Sequence, residues 1–301
     1  GVNVEDYAHS VAGKGAYKLV NYIVQAKFAE SPTNISAAWL MSRFGHESKS
    51  VSNKFGFMNG GIERIVEGMA KNCEGRNGVL KTEAKITQIV VKNGEVTKVM
   101  YEEGGKSEEV TADVVVSTLP IPVLLETVEE LPQDYEATLK NIRYKASICA
   151  ALAFSKRFSR FYWLNIMDLD KHPFVGIFEH GHLNNELKIP SLMYVVKYLE
   201  PTDSFWHKTD REIVEDFLIH LSEIFDCNVQ EDLLWWKVHR AQYSTPVFVP
   251  DYGKSMPEVR SPVKGLYIGG ISRVYPRDRY MGTAIWTGID AAEAVLADYK
   301  T

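Results

Sequence analysis

The chain has 301 residues, of which 45% are hydrophobic and 24% charged, and its formal net charge is −5. This length accommodates about two domains, and the composition excludes a disordered or collagen-like chain. The weakly acidic balance argues against a broad basic face, so we expect no nucleic-acid partner. Three cysteines without a C-x-x-C pair exclude a zinc ribbon or a disulfide scaffold and favour a reducing, cytoplasmic location.

The sequence carries no secretory or membrane-spanning signal. The first residues lack a basic stretch followed by an apolar run, and no segment approaches the ~18 apolar residues of a membrane span. Membrane-surface association stays open on this pattern. The chain begins with Gly1 instead of methionine, and we interpret it as a piece of a longer protein.

The first part of the chain is predicted to be helical. Apolar residues recur every three or four positions from 4 to 44, Pro32 interrupts this pattern, and Ser36 is typical of a helix start. Another helix is predicted to follow Gly60 and Gly61.

The rest of the chain combines strands and helices. Residues 81–120 are predicted to form a β-meander, because alternating runs flank the turn pair Asn93 and Gly94. A helical pattern covers 121–140, and between 145 and 245 four strand-like runs alternate with one helical run. These elements predict a fold of mixed α/β and α+β class.

The C-terminal segment contains the clearest candidate for a binding site. A short strand runs into Gly269 and Gly270, whose small size lets a backbone approach a ligand closely. A loop then leads to a helix over 281–299, and the N–H groups and positive dipole end at its start suit an anion. A tight turn before a core helix explains the same pattern equally well.

The order of these elements resembles the superfamily of FAD enzymes that includes flavin-containing amine oxidases, protoporphyrinogen oxidases and phytoene desaturases. The resemblance rests on the helix after Gly60 and Gly61, on the hairpin at Asn93, and on the segments 113–120 and 266–288. It implies part of a FAD-binding domain of the glutathione-reductase-like type together with a substrate domain that contains a mixed sheet and helices. The implied boundaries are 1–54 for substrate-domain helices, 55–120 for a part of the FAD domain, 121–245 for the substrate domain, and 246–301 for the C-terminal part of the FAD domain.

The resemblance also implies FAD as the cofactor and assigns residues to it. The backbone at Ile86 would meet the adenine, and N–H groups at the start of the last helix would face the flavin pyrimidine and stabilise negative charge on the reduced ring. The implied cofactor residues are Ile86, Thr118, Leu119, Gly269, Gly270, Ile271, Met281, Gly282, Thr283 and Ala284.

One element of the family is missing from this sequence. The family opens with a strand, a G-x-G-x-x-G turn and a helix that bind the FAD pyrophosphate, and the nearest match here, Gly13-Lys14-Gly15, falls in a helical pattern. We therefore expect the missing N-terminal FAD-binding segment of the longer protein as a partner. We expect the chain alone to bind FAD weakly or not at all and to be inactive.

The same resemblance suggests substrate residues but no catalytic residue. Tyr280 matches an aromatic residue that flanks the flavin in amine oxidases, and Arg277 and Arg279 are candidates for binding an anionic substrate. Cys149 falls where amine oxidases place a lysine near the flavin, which puts amine oxidation in doubt, whereas Lys145 lies too far back in the sequence.

No metal site is predicted from the sequence. His180 and His182 resemble half of one, but they have no third ligand at a standard spacing, so we interpret them as part of a surface loop.

We predict an FAD-dependent oxidoreductase that takes a hydride from a small organic substrate. Two alternatives remain at this stage. The loop 275–279, with its arginines, looks like that of relatives of UDP-galactopyranose mutase, in which reduced flavin acts as a nucleophile. The other alternative is a binding module without catalytic activity.

Overall fold

A computed structural model describes residues 1–11, 13–47, 58–183 and 187–299. Its helices are α1 (Val4–Val11), α2 (Gly13–Phe28), α3 (Ala37–Glu47), α4 (Glu63–Glu74), α5 (Ile121–Thr127), α6 (Gln133–Lys140), α7 (Asp210–Phe225), α8 (Tyr252–Ser255) and α9 (Met281–Asp298). Its strands are β1 (Ala84–Lys92), β2 (Glu95–Glu103), β3 (Lys106–Thr111), β4 (Val115–Ser117), β5 (Tyr144–Phe154), β6 (Trp163–Asn165), β7 (Gly176–Glu179), β8 (Ser191–Leu199), β9 (Leu233–Pro246) and β10 (Leu266–Ile268). The predicted mixed α/β and α+β class is confirmed. Among the described residues, none of the helices combines the length and the apolar character needed to cross a bilayer.

The chain divides into two compact units. Unit 1 comprises Gly1–Met41 and Arg143–Asp251, and unit 2 comprises Ser42–Ile142 and Tyr252–Thr301. Residues 121–142 therefore group with unit 2, whereas we assigned them to the substrate domain together with the segment up to 245. The predicted boundary between 54 and 55 lies outside the described residues. The assignment of cofactor and substrate to the two units stays a prediction.

Unit 1 is built on a five-stranded sheet with the order β6-β7-β8-β5-β9. Every neighbouring pair in it is antiparallel, so the sheet differs from the mixed one that we expected. The reason lies in the crossover through α7, which joins β8 to β9. These two strands run in the same direction, but β5 lies between them and opposes both. The short strand β6 was not predicted.

One face of this sheet packs against α7 to form the core of unit 1. Ile148 and Leu152 of β5 and Phe217 of α7 are fully buried in this cluster. The helix begins with a reciprocal cap, in which the Glu212 N–H donates to Thr209 Oγ1 at 3.3 Å and the Thr209 N–H donates to Glu212 Oε2 at 2.7 Å. An apolar stripe and a strong N-terminal cap thus explain why this segment forms a helix.

The N-terminal helices of unit 1 follow the predicted pattern. A single 3-10 turn at Pro32–Asn34 separates α2 from α3, and the Ser36 hydroxyl accepts a hydrogen bond from the Ala38 N–H at 3.3 Å. The glycines at 13 and 15 lie in α2, so the nearest match to the glycine fingerprint is helical backbone.

Unit 2 contains an antiparallel sheet, β1-β2-β3, whose first turn is the predicted hairpin. Asn93 and Gly94 both have positive φ, at 53° and 76°, as this turn type requires. The helix predicted over 121–140 is two helices, α5 and α6. The chain leaves α5 because the Glu129 N–H donates to the Ile89 carbonyl of β1 at 3.1 Å, and Pro132 precedes α6.

Candidate functional site

The candidate site lies in unit 2, at the end of the parallel pair β10 and β4. The Gly269 N–H donates to the Ser117 carbonyl at 2.8 Å and extends this pairing by one residue. Gly270 has a φ of 83°, and a Cβ atom added there would lie 2.9 Å from the Thr118 carbonyl oxygen. Glycine is therefore required at 270 because the backbone at Thr118 comes so close. The structure brings together three residues that we predicted to be near the cofactor.

The second part of the site is the start of α9. The Tyr280 N–H donates to Thr283 Oγ1 at 2.9 Å, and that hydroxyl lies 3.0 Å from the Asp278 carbonyl oxygen. The first N–H groups of a helix have no partner within the helix and carry partial positive charge. A Cβ atom added at Gly282 would meet no atom within 4 Å, so this end of the helix is open to a ligand. The segment of Gly269, Gly270 and the first turn of α9, together with Thr118, is called the α9 site below.

The three arginines of the loop before α9 have different environments. Arg273 is buried and bonds to Asp290 Oδ2 at 2.7 Å and to the Pro257 carbonyl at 3.1 Å, which gives it a structural role. Arg277 is exposed, with its guanidinium 5.2 Å from the centre of the Trp286 ring. Arg277 is therefore accessible to an anion, and its role in substrate binding stays a prediction.

Arg279 is held more tightly than Arg277. It lies 3.6 Å from the buried carboxylate of Asp278, which also receives a 2.6 Å bond from Arg43. The two guanidinium groups compensate the charge of Asp278 and fix the loop that leads into α9. An anionic substrate would have to compete with Asp278 for Arg279, whose role in substrate binding stays a prediction.

The remaining predicted cofactor residues are less informative. Ile86 is half-buried on β1 opposite Tyr101, beside an irregularity in the strand register. The Leu119 N–H donates weakly to Ser117 Oγ at 3.4 Å. Ile271 begins a 3-10 turn, Ile271–Arg273, and Ala284 is exposed in the first turn of α9. The roles of these residues toward a cofactor stay predictions.

Unit 1 presents a face of its sheet on the side opposite to α7. The rings of Trp163 and Phe178 lie 5.2 Å apart on this face, and Tyr194 is the register partner of Phe178. Cys149 of β5 belongs to the same face, because it alternates with the core residues of that strand. Burial raises the pKa of the Cys149 thiol to about 11, so it is protonated at neutral pH. The face therefore offers aromatic surface and an unreactive thiol.

Lys145 has a structural role. Its ammonium group is buried, lies 3.0 Å from Glu30 Oε1 and also bonds to Glu200.

His180 and His182, which we interpreted as part of a surface loop, both contact neighbouring residues. His182 Nε2 lies 2.9 Å from the Ser159 carbonyl oxygen, and the His180 ring packs edge-on against Tyr194.

Sequence reasoning missed a different histidine cluster. His172, His220 and Glu223 lie together in unit 1, with one ligand atom of each within 4.8 Å of the others. His220 and Glu223 are three residues apart on α7, and this spacing was the signal available in the sequence. His172 is 48 residues away from His220 and could be placed only by the fold.

The α9 site fits one part of FAD. Its open helix start and Gly282 fit the flavin ring, which needs N–H donors and a close backbone approach. The FAD pyrophosphate needs a glycine-rich turn between a strand and a helix, and the 301-residue sequence contains no G-x-G-x-x-G. The residues present thus fit the flavin end of the cofactor.

The fold and the open start of α9 agree with the superfamily of FAD enzymes that the sequence resembles. The profile of the family described as flavin containing amine oxidoreductase matches residues 12–296, and the chain belongs to this family of flavin-dependent oxidoreductases. A curated relative, the chloroplastic/chromoplastic 15-cis-phytoene desaturase of an Oncidium hybrid cultivar, is 21% identical over 274 residues. The match covers 86% of this chain and 45% of that protein, so the chain spans about half the length of this relative.

Solved structures show the same fold at low sequence identity. A protein from Exiguobacterium sp. 255-15 assigned as a protoporphyrinogen oxidase has a TM-score of 0.76 at 13% identity, and the match covers 99% of this chain and 67% of that one. A reduced UDP-galactopyranose mutase has a TM-score of 0.76 at 14% identity, with 100% and 68% covered. At such identities these matches support the fold alone, and the predicted membership of the superfamily is confirmed by the family match.

Proposed function

We propose that this chain supplies the flavin end of the cofactor site and a substrate-binding sheet in an FAD-dependent oxidoreductase that removes a hydride from an organic substrate. The observation that carries the proposal is the start of α9. There, an uncrowded Gly282 stands at a helix end in a chain of the flavin-containing family.

The residues of the α9 site would act on the flavin through their backbone. The N–H groups of Met281, Gly282 and Thr283 lie in the first turn of α9, where the helix dipole favours negative charge. They would stabilise a ring that gains negative charge on reduction. When bound, the flavin supplies the hydride acceptor. The protein contributes orientation and electrostatics.

The proposed substrate class rests on aromatic side chains within each of the two units and on the Cys149 thiol. Tyr280 is 47% exposed directly before α9 and offers a ring against which a substrate can pack. The aromatic face of unit 1, with Trp163 and Phe178, adds apolar surface. A Cys149 thiol with a pKa of about 11 cannot serve as a base at neutral pH. We therefore propose an extended, apolar or conjugated substrate instead of a small charged amine.

The proposal includes a partner for the cofactor phosphates. A polypeptide segment with a glycine-rich turn between a strand and a helix would bind the pyrophosphate. The chain alone would then bind FAD weakly, and activity would need both parts. A cytoplasmic location is part of the same proposal.

The test is anaerobic mixing of the FAD-loaded protein, expressed from its complete reading frame, with a panel of apolar, conjugated and amine substrates. The proposal predicts that the flavin absorbance bleaches with an apolar or conjugated substrate, whose product has lost two electrons. An isomerised product without net bleaching would contradict the proposal and indicate a mutase. A flavin that no member of the panel reduces would indicate a binding module.

A further inference from the structure

Three metal-ligating side chains converge in unit 1, whereas the α9 site belongs to unit 2. His172 lies in the segment between β6 and β7, and His220 and Glu223 lie one turn apart on α7. One ligand atom of each lies within 4.8 Å of the other two. Imidazole nitrogen and carboxylate oxygen are the donor atoms that Zn²⁺ and similar divalent transition metals prefer.

The separation of the two imidazoles matches a shared metal ion. The Nδ1 atoms of His172 and His220 are 3.3 Å apart. A tetrahedral ion with Zn–N bonds of about 2.0–2.1 Å separates two nitrogen ligands by about 3.3–3.4 Å. The two rings meet nearly at right angles, with 86° between their planes. The Nδ1 separation therefore fits two ligands of one tetrahedral ion.

The third ligand is within reach of the same point. The Glu223 side chain is 46% exposed and lies 3.2 Å from the ammonium group of Lys171, itself 58% exposed. Such exposed ion pairs contribute little to stability, so the carboxylate can turn toward the histidines at low cost. Two imidazoles and one carboxylate leave a fourth position for water, as in open zinc sites.

The surrounding residues hold the two rings in place. The buried Phe174 ring stacks with His172 at 6.2 Å and contacts the His220 ring edge-on at 6.4 Å. Asp216 Oδ1 lies 4.0 Å from Nε2 of His220, where a carboxylate favours the tautomer with a free Nδ1. His172 also lines a cavity of about 130 Å³.

A direct hydrogen bond between the histidines is the competing explanation. It requires one Nδ1 to donate and the other to accept, and 3.3 Å is long for such a bond. The neighbouring charges are Lys171, Asp168 and Glu223 beside His172, and Asp216 beside His220. Burial, together with His220 and Lys171, lowers the pKa of His172, so its ring is neutral at neutral pH in either case. Metal binding is therefore the property that separates the two explanations.

We propose that His172, His220 and Glu223 form a binding site for one divalent transition-metal ion of the Zn²⁺ type. The ion ties the segment before β7 to α7 and so stabilises unit 1. This proposal does not depend on a flavin, because all three ligands and their supports belong to unit 1.

The test uses the tag-free chain after treatment with a chelator, titrated with Zn²⁺ by calorimetry at neutral pH. The expected result is one bound ion per chain. His172→Gln and His220→Gln each remove one ligand, and we expect each to weaken Zn²⁺ binding by at least about tenfold. His239→Gln is the matched control, since His239 is an exposed histidine of β9 outside the cluster, and it should bind Zn²⁺ like the unchanged chain.

A further variant should tighten binding. Lys171→Ala removes a positive charge from the site and frees Glu223, so we expect Zn²⁺ affinity to rise by about two- to fivefold. The visible spectrum of Co²⁺ bound to the unchanged chain gives a second measurement, which does not depend on whether any variant folds. A tetrahedral spectrum with nitrogen and oxygen ligands supports the proposal.

Three results would overturn it. One is a chelator-treated chain that binds no Zn²⁺, and another is an octahedral Co²⁺ spectrum like that of the hydrated ion. The third is Zn²⁺ binding that the two cluster variants leave unchanged.

Discussion

Replacement of Lys145 by methionine should destabilise unit 1 strongly. Lys145 is 2% exposed in β5, and its ammonium group bonds to Glu30, to Glu200 and to the Ala29 carbonyl at 3.3 Å. Methionine keeps most of the side-chain volume but provides no charge and no donor. The variant therefore leaves the carboxylate of Glu30, which is 8% exposed, with fewer partners.

The magnitude follows from what remains around Glu30. Removal of one partner from a buried ion pair costs about 3–5 kcal/mol. Glu30 keeps a 2.9 Å bond from the half-exposed Arg143 and a 2.8 Å bond from Asn34, which offset part of that loss. We expect Lys145→Met to lower the free energy of unfolding by about 2–3 kcal/mol at neutral pH. Lys237→Met, the same change at an exposed position of β9, should stay within about 0.5 kcal/mol.

Urea denaturation at several pH values tests both the size of the stability loss in Lys145→Met and the direction in which this loss changes with pH. Burial by itself raises the pKa of Glu30, but hydrogen bonds from Asn34 and Lys145 and the charges of Lys145 and Arg143 outweigh it, and the pKa is lowered. A carboxyl group whose pKa is lowered by folding stabilises the protein at pH values above its unfolded-state pKa. This stabilisation is lost as the pH falls through the folded-state pKa. The variant lacks two of the lowering causes, so its deficit should shrink in acid. A deficit below about 0.5 kcal/mol at neutral pH, or one that grows in acid, would refute this reasoning.

Three more predictions concern the candidate site and the thiol. Gly270→Ala should lower stability by about 2 kcal/mol or more in thermal denaturation, because φ is 83° and the added Cβ would lie 2.9 Å from a backbone oxygen. Gly269→Ala should lower stability clearly less, because the nearest contact of its Cβ lies at 3.4 Å. Equal losses of stability in the two variants would contradict this account. Cys149, with a pKa of about 11, should react with iodoacetamide at pH 8 about 100-fold more slowly than the exposed Cys73. Peptide mass spectrometry follows the two reactions, and equal rates would show that the Cys149 thiolate is accessible. In the FAD-loaded protein from the complete reading frame, Tyr280→Ala should slow anaerobic flavin reduction by about tenfold without loss of FAD. Unchanged kinetics or loss of the flavin would show that Tyr280 does not lie beside the flavin as we predict.

Much of the fold could be predicted because its signals are local. The hairpin at Asn93 and Gly94 follows from residues that accept positive φ, and α7 follows from its apolar stripe and its Thr209 cap. The parallel pairing of β4 with β10 was not predicted, because 151 residues separate the partners Val115 and Leu266.

The parts that could not be predicted depend on long-range contacts. The sheet of unit 1 is antiparallel because β5 separates β8 from β9, and no local pattern encodes that order. We predicted that glycine at 270 lets the backbone approach a ligand closely. In the structure, the group that comes closest to an added Cβ atom there is the Thr118 backbone. The histidine cluster needed the fold to bring His172 beside His220.

The most direct test of the α9 site compares two glycines of the same helix. A Cβ atom added at Gly282 or at Gly288 meets no atom within 4 Å, and valine has a higher helix propensity than glycine at either position. The measurement is the FAD dissociation constant of Gly282→Val and Gly288→Val in the protein from the complete reading frame. Our account predicts that Gly282→Val weakens FAD binding by at least about tenfold, or about 1.4 kcal/mol, while Gly288→Val binds FAD normally. Equal FAD affinity in the two variants, or a loss confined to Gly288→Val, would contradict the placement of the flavin at the start of α9.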